Sequence, residues 1–355
     1  MDQVQQLLLC LFVMNPKSLT HQDYSVGWVC ALTEESASAI NMLDERHSDL
    51  QNQRNDPNVY NLGSIGPHNI VIACLPMGDI GSNAAATIAT RMINTFPFIR
   101  LWLNVGIGGG VPPKVRLGDV VVSNPEYNYP GVVQWDKGML EDKGFRPIGT
   151  LDKPPEVLRS ALRKLEVEHI SRGSDTRILD ILDGLRSKNP RFASKYLRSK
   201  NLKDVLYQSD YDHVDEDGQA VVENDEKHSV LAKLREEEDE EEEGEEEEEG
   251  NQEEDFNPSC PYCDSAMAMK RKPRKTKIKI HYGTIVSGNS VIKNAKNRDA
   301  INQRVGGRAL CFEMEAAGIL NSHPCLVIRG ICGKALTISL TVLVLIKPTR
   351  LCGYT

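Results

Sequence analysis

The sequence predicts an α/β domain interrupted by one long polar insertion, and three observations carry that expectation. Apolar runs end in glycine- or glutamate-containing turns and hand over to helical patterns, the grammar of strands alternating with helices. The stretch Ala309–Cys332, ALCFEMEAAGILNSHPCLVIRGIC, repeats this as strand, short helix, strand, with Glu313 and Glu315 at the end of its first strand. From about Gly184 to Lys279 the grammar stops, and charged, polar text takes over.

Tyr24–Leu32 reads as a buried strand, followed by Thr33 as a helix N-cap with Glu34 and Glu35 in the first turn, where the helix dipole favours them. Asn69–Leu75 is a second strand. It runs into Pro76–Asn83 and then an alanine-rich helix to about Asn94. Leu101–Val105 is a third, ending in Gly106–Gly110, and Gly118–Ser123 a fourth. Ligands of open α/β sheets sit beyond the carboxyl ends of strands, and all three turns and Glu313–Glu315 lie there. The turn GIGGG lacks GxGxxG spacing. Pro112, Pro113 and a strand follow it, so no helix receives a pyrophosphate and a dinucleotide fold is disfavoured. Gly78–Asn83 has two readings: an anion or hydroxyl site at a helix N-terminus, or an ordinary Ser82 or Asn83 cap. In an extended chain Glu313 and Glu315 share a face, whereas on a helix they stand roughly 200° apart.

The chain of 355 residues is long enough for one large domain or two ordinary ones. Its net charge of −8 hides two runs: thirteen acidic residues in the fourteen of 236–249, and seven basic ones in the ten of 270–279. Without them the remainder carries −2, a field unsuited to nucleic acid. Five of nine cysteines (Cys30, Cys74, Cys311, Cys325, Cys332) lie inside apolar runs, as buried thiols of a reducing, cytoplasmic compartment do. The basic run is either a nuclear localisation patch or a solvated flank. Leu7–Met14 and Leu336–Ile346 are too short to span a membrane, so no membrane partner is expected. Cys260 and Cys263 form a CxxC without a second pair, and His213 and His281 stand alone, so no metal is expected. Met14 opens a more ordinary start, which marks the first thirteen residues as a possible non-native extension.

The signals VGWVCALTEE, NVGIGGG, GDVVVS, IVSGNSVI and CFEMEAAG, in this order, resemble the nucleoside phosphorylase/nucleosidase superfamily, most of all its methylthioadenosine/S-adenosylhomocysteine nucleosidases and fungal relatives. The resemblance covers 24–183 and 280–332, 213 of 355 residues. It divides the chain into an extension (1–23), a first domain part (24–183), an acidic and basic insertion, largely disordered (184–279), a second domain part (280–332) and a tail (333–355). It implies a three-layer α/β/α sandwich around a mixed, partly closed sheet, often in homo-oligomers, that acts on a purine nucleoside without a cofactor. Glu35 matches the glutamate that activates water; Met314 and Glu315, with Glu313 beside them, match the ribose-lining residues. Gly78, Gly106 and Gly108 match loops around sugar and nucleophile, and Val291 and Ile292 the segment on the base. Phosphorolysis would need cationic phosphate ligands, for which Arg91 and Arg329 are the candidates, so hydrolysis is favoured. The family's proton donor is an aspartate at the position of Gly333, and its closing helix is replaced by ALTISLTVLVLI. Gly333-Lys334 can be encoded GGT-AAG, which contains a common intron start, so the text from Gly333 onward is expected to be read-through of an unspliced intron or a frameshifted exon, and turnover impaired. The rival expectation is an inactive nucleoside-binding module, with the acidic insertion for a protein partner.

Overall fold

The computed structural model describes residues 19–142, 144–172, 175–196, 205–212, 262–274, 276 and 278–331. The expectations for 1–18, the acid run, His213, Cys260, Gly333 and the tail lie outside these residues.

Strands β1 (Val26–Cys30), β4 (His68–Cys74), β5 (Leu101–Gly110), β6 (Val120–Ser123), β10 (Ile280–Ser287) and β12 (Cys325–Ile331) form the centre of one ten-stranded sheet. It continues through β3 (Tyr60–Ile65) and β2 (Glu45–Arg46) on one side, and through β11 (Ala309–Glu313) and β7 (Val132–Gln134) on the other. Pairings of β1 with β4 and β5, and of β10 with β6, are parallel; β12 against β6 and β3 against β4 are antiparallel, so the sheet is mixed. β5 is long enough to serve twice. Its first part pairs β1 and β12, while Gly109 and Gly110 pair antiparallel with Phe312 and Cys311 of β11. That second pairing partly closes the sheet, as the resemblance implies.

Alternation along the strands sends side chains to two cores, since successive residues face opposite ways. Val26, Trp28 and Cys30 join Ile70, Ile72, Leu103 and Val105 on one face, under helices α1 (Thr33–Asn41), α3 (Glu156–Arg172), α4 (Asp175–Lys188) and α5 (Pro190–Tyr196). Val29, Val71, Trp102, Val121 and Val327 face the other way, against α2 (Gly81–Thr95) and α7 (Ala316–Leu320). A third, smaller core holds Val286 and Phe312 against Ile301 of α6 (Ala295–Arg304). The three-layer sandwich is therefore present. Helix α4 runs straight through Gly184, and Leu185 and Ala193 are buried in the first core, so packed structure extends beyond 183. A two-stranded hairpin, β8 (Gly138–Glu141) and β9 (Gly144–Pro147), stands off the sheet.

The basic run is tied to the domain at more than one point: Arg116 Nη2 donates to the Lys272 carbonyl (2.8 Å) and Arg274 Nη1 to that of Leu117 (2.7 Å). Arg274 pairs with buried Asp119, whose carboxylate also accepts from His281 Nε2 (3.0 Å) and from the Lys279 N–H (3.2 Å). His281 thus serves an ion pair at the start of β10. Among the described residues no helix is long and apolar enough to cross a membrane, and no three His, Cys, Asp or Glu side chains group as a metal site needs.

Candidate active site

Three carboxylates meet one guanidinium beyond the strand ends. Arg329 is the fifth residue of β12, a seven-residue apolar strand, and is 1 % exposed. A buried guanidinium needs partners, and it has them: Nη2 donates to Glu313 Oε2 and to Asn104 Oδ1, and lies 3.6 Å from Glu315 Oε2. Burial works against its charge, but Glu313, Glu315 and Glu35 together hold it cationic above its usual range. Arg329 is therefore an internal counter-ion to the glutamates. Arg91, the other phosphate candidate, is half-buried on α2.

Glu35 sits in the first turn of α1 and is 5 % exposed. Its Oε2 accepts the N–H groups of Ala31 (2.7 Å) and Leu32 (3.1 Å), and its Oε1 accepts that of Ile107 (2.7 Å). Burial raises its pKa, opposed by Arg329 and by these backbone donors. A carboxylate offers about four acceptor positions, so one remains for a ligand or water. Gly106 is what lets the two groups meet: a methyl group there would overlap Glu35 Oε1 and stand 2.8 Å from Arg329 Nη1. At Gly108 a methyl group would stand 3.0 Å from Phe312 O and 3.2 Å from Arg329 Cβ, a tight but less severe approach.

Glu313 and Glu315 share the site but not a task. Glu313 ends β11, and besides Arg329 its Oε2 accepts the N–H groups of Glu315 (3.0 Å) and Ala316 (2.9 Å), which starts α7. Glu315 caps α7 in a helical conformation, not as a continuation of the strand, and turns Oε1 towards the Gly81 N–H (3.4 Å). Burial and the neighbouring Glu313 push its pKa up to about 7, with Arg329 pulling the other way. Met314, between them, is half-buried.

The N-terminus of α2, expected as an anion hold or a local cap, is filled from elsewhere in the chain. Gly81 donates to Glu315, and Ser82 N–H (3.0 Å) and Oγ (2.7 Å) both donate to Asn289 Oδ1. Gly78 lies exposed in the preceding loop at φ +90°, a conformation that asks for glycine. Val291 is 52 % exposed beyond β10, while Ile292 packs against the third core. The structure thus brings Glu35, Gly106, Gly108, Glu313, Glu315 and Gly81 to one place, with Met314 between the two glutamates. Asn104, Asn289 and the central role of Arg329 were not singled out from the sequence, and Ser82 was named only as a local cap. The one available signal was an arginine inside an apolar strand.

Futalosine hydrolase of Helicobacter pylori superposes with a TM-score of 0.51 at 13 % identity, covering 93 % of this chain and all of that one. The 5'-methylthioadenosine/S-adenosylhomocysteine nucleosidase of Neisseria meningitidis, in complex with methylthio-immucillin-A, does so at 0.50 and 13 %, covering 92 % and 99 %. The fold is that of the nucleoside phosphorylase/nucleosidase superfamily. No family model matches the sequence. A nucleotide-binding leucine-rich repeat (NLR)-like protein of Hyaloscypha variabilis is 37 % identical over 324 residues, 90 % of this chain. A 5'-methylthioadenosine/S-adenosylhomocysteine nucleosidase of Mycobacterium bovis is 28 % identical over 123 residues, 35 % of it. The chain spans 27 % of the first relative and 43 % of the second. In this nucleosidase-type fold the carboxylate cluster occupies the carboxyl-end position where α/β folds place ligands.

Proposed function

We propose that this domain binds a purine nucleoside at the Glu35–Glu315–Arg329 cluster and is built to cleave its N-glycosidic bond with water. The observation that carries the reading is the convergence of buried carboxylates on one guanidinium at the strand ends. Cleaving such a bond builds positive charge on the ribose, and preorganised carboxylates stabilise it. Glu35, with a raised pKa and one acceptor position left, suits activation of water. Glu315 accepts the ribose hydroxyls beside Met314, and Val291 and Ile292 hold the base. Arg329 already neutralises the glutamates through Nη2, which favours water over phosphate as second substrate. The mycobacterial nucleosidase aligned to this chain supports the substrate class. No cofactor takes part, and the setting is cytoplasmic.

Gly333 stands where the resemblance puts the proton donor for the leaving base, so turnover is impaired. Loss of a general acid costs on the order of 10²–10⁴ in rate. A second reading, a nucleoside-binding or interaction module without turnover, is favoured by Gly333 and by the NLR-like relative. In it the acid run of 236–249 meets a protein partner. Adenine release from adenosine and methylthioadenosine, measured on this chain and on Gly333→Asp, separates the two. Slow release that rises in Gly333→Asp is the expected result. Equal, brisk release from both refutes the role of position 333. Binding without release from either establishes the module, and absence of binding overturns the proposal.

A further inference from the structure

Resting on the nucleoside reading, we propose that Asp136 and Asn289 are positioning residues that lock the base-holding segment onto the ribose side of the site. Asn289 leaves β10 two residues before Val291, and its side chain bridges two distant elements. On one side its Oδ1 takes both donors of Ser82 at the start of α2. On the other its backbone N–H (2.7 Å) and Nδ2 (3.0 Å) both donate to one atom, Asp136 Oδ2, in the loop after β7. Asp136 is steadied in turn by Gln134 Nε2, which donates to its Oδ1 at 3.0 Å.

The amide has only one orientation that satisfies both sides. Turned over, Asn289 would aim its NH2 at the Ser82 N–H and its oxygen at a carboxylate. Asp136 therefore fixes which end of Asn289 faces α2. Two glycines make the approach possible. At Gly81, φ is +87° and a methyl group would stand 2.9 Å from Asn289 Oδ1; at Gly288 a methyl group would overlap the Trp135 indole. The consequence for the ligand lies in adjacent amides. Gly81 N–H serves Glu315, on the ribose side, and Ser82 N–H serves Asn289, on the base side. One helix turn thereby sets the spacing between the group that reads the sugar and the segment that reads the base. Val291, half-exposed and without a core of its own, owes its position to this tie.

The test uses the full chain and adenine, the part of the ligand that meets only the base segment. Calorimetric titration of Asn289→Ala and Asp136→Ala is expected to show roughly tenfold weaker adenine binding, as for a segment in its competent position about a tenth of the time. The double variant is expected to be no weaker than the worse single one, because the two residues act as one unit. Asp136→Asn should retain near wild-type affinity. Its amide oxygen can take the place of Oδ2, and its NH2 can meet Gln134 Oε1, a buried acceptor without a partner, once that amide turns. A merely structural role predicts additive losses, a matching fall in thermal stability and no rescue. Wild-type binding that is unchanged in both alanine variants, or additive losses, overturns the lock while leaving the nucleoside reading in place. Absence of adenine binding by the wild-type chain overturns both.

Discussion

Glu313 and Arg329 form an ion pair that water does not reach: the arginine side chain is 1 % exposed and the glutamate 0 %. Removing one partner of such a pair leaves the other charge buried and uncompensated, which costs about 3–5 kcal/mol. Arg329→Met should therefore lower the unfolding free energy by about that amount, since it strips the counter-ion from Glu313 and from Glu35 and Glu315 alike. Urea denaturation at pH 7 measures it. A loss below about 1 kcal/mol would show that the carboxylates find another cation.

Glu315 gives the stability a pH dependence with a definite sign. Its folded pKa, about 7, lies above its ordinary value of 4.5. The folded chain thus holds a proton that the unfolded chain has released, and stability falls as pH rises through this window. The contribution is complete below about 4.5 and gone above about 7. In Glu315→Gln it should be absent, so the melting-temperature difference between variant and wild type shifts in the variant's favour as pH rises. Parallel curves would place the titration on another group.

Gly106→Ala puts a methyl group onto Glu35 Oε1 and against Arg329. Overpacking of this kind costs about 1–3 kcal/mol, and here it falls on the site itself. Nucleoside binding should be lost at a temperature where circular dichroism still reports a folded chain.

Gly318→Ala probes the far side of the same site. Its methyl group would overlap the Ser82 backbone, because α7 crosses α2 at that glycine. The expected destabilisation is again about 1–3 kcal/mol. Faster amide exchange at Gly81 and Ser82 should accompany it, and unchanged exchange there would show that the two helices part without moving the site.

Asp119 works in the opposite sense from Glu315. Burial raises its pKa, but the hydrogen bond from His281, the Arg116 N–H and the charge of Arg274 outweigh that and leave it below its usual value of 3.8. Its contribution is present above that value and lost as pH falls through the folded pKa. Asp119→Asn should reduce stability at neutral pH and free the segment around Arg274. Limited trypsin digestion near Lys270–Lys272 measures the second effect, and an unchanged digestion rate would mean that Arg274 does not hold the segment.

The sequence by itself determined the layers of this protein. Continuous apolar runs, as in Tyr24–Leu32 and Cys325–Ile331, have one low-energy placement, inside a sheet covered on both faces, whereas Gly106–Gly110, read from the sequence as a turn, instead extends β5. Closure of the sheet was legible only through the superfamily resemblance. Its cause, two glycines of β5 pairing with β11, depends on residues some two hundred positions apart in the chain. The site divides the same way. The carboxylates could be named from the sequence because charges between buried runs are conspicuous. That Glu313 holds an arginine while Glu315 faces the α2 N-terminus could not, because strand periodicity assigns them one face. Only the tertiary structure decided it: the chain turns at Met314 into α7, Arg329 arrives from β12 to take the first carboxylate, and Glu315 and Asn289 meet the adjacent Gly81 and Ser82 amides of α2. Burial makes each of those partners obligatory, and a linear pattern carries no record of which partner arrives.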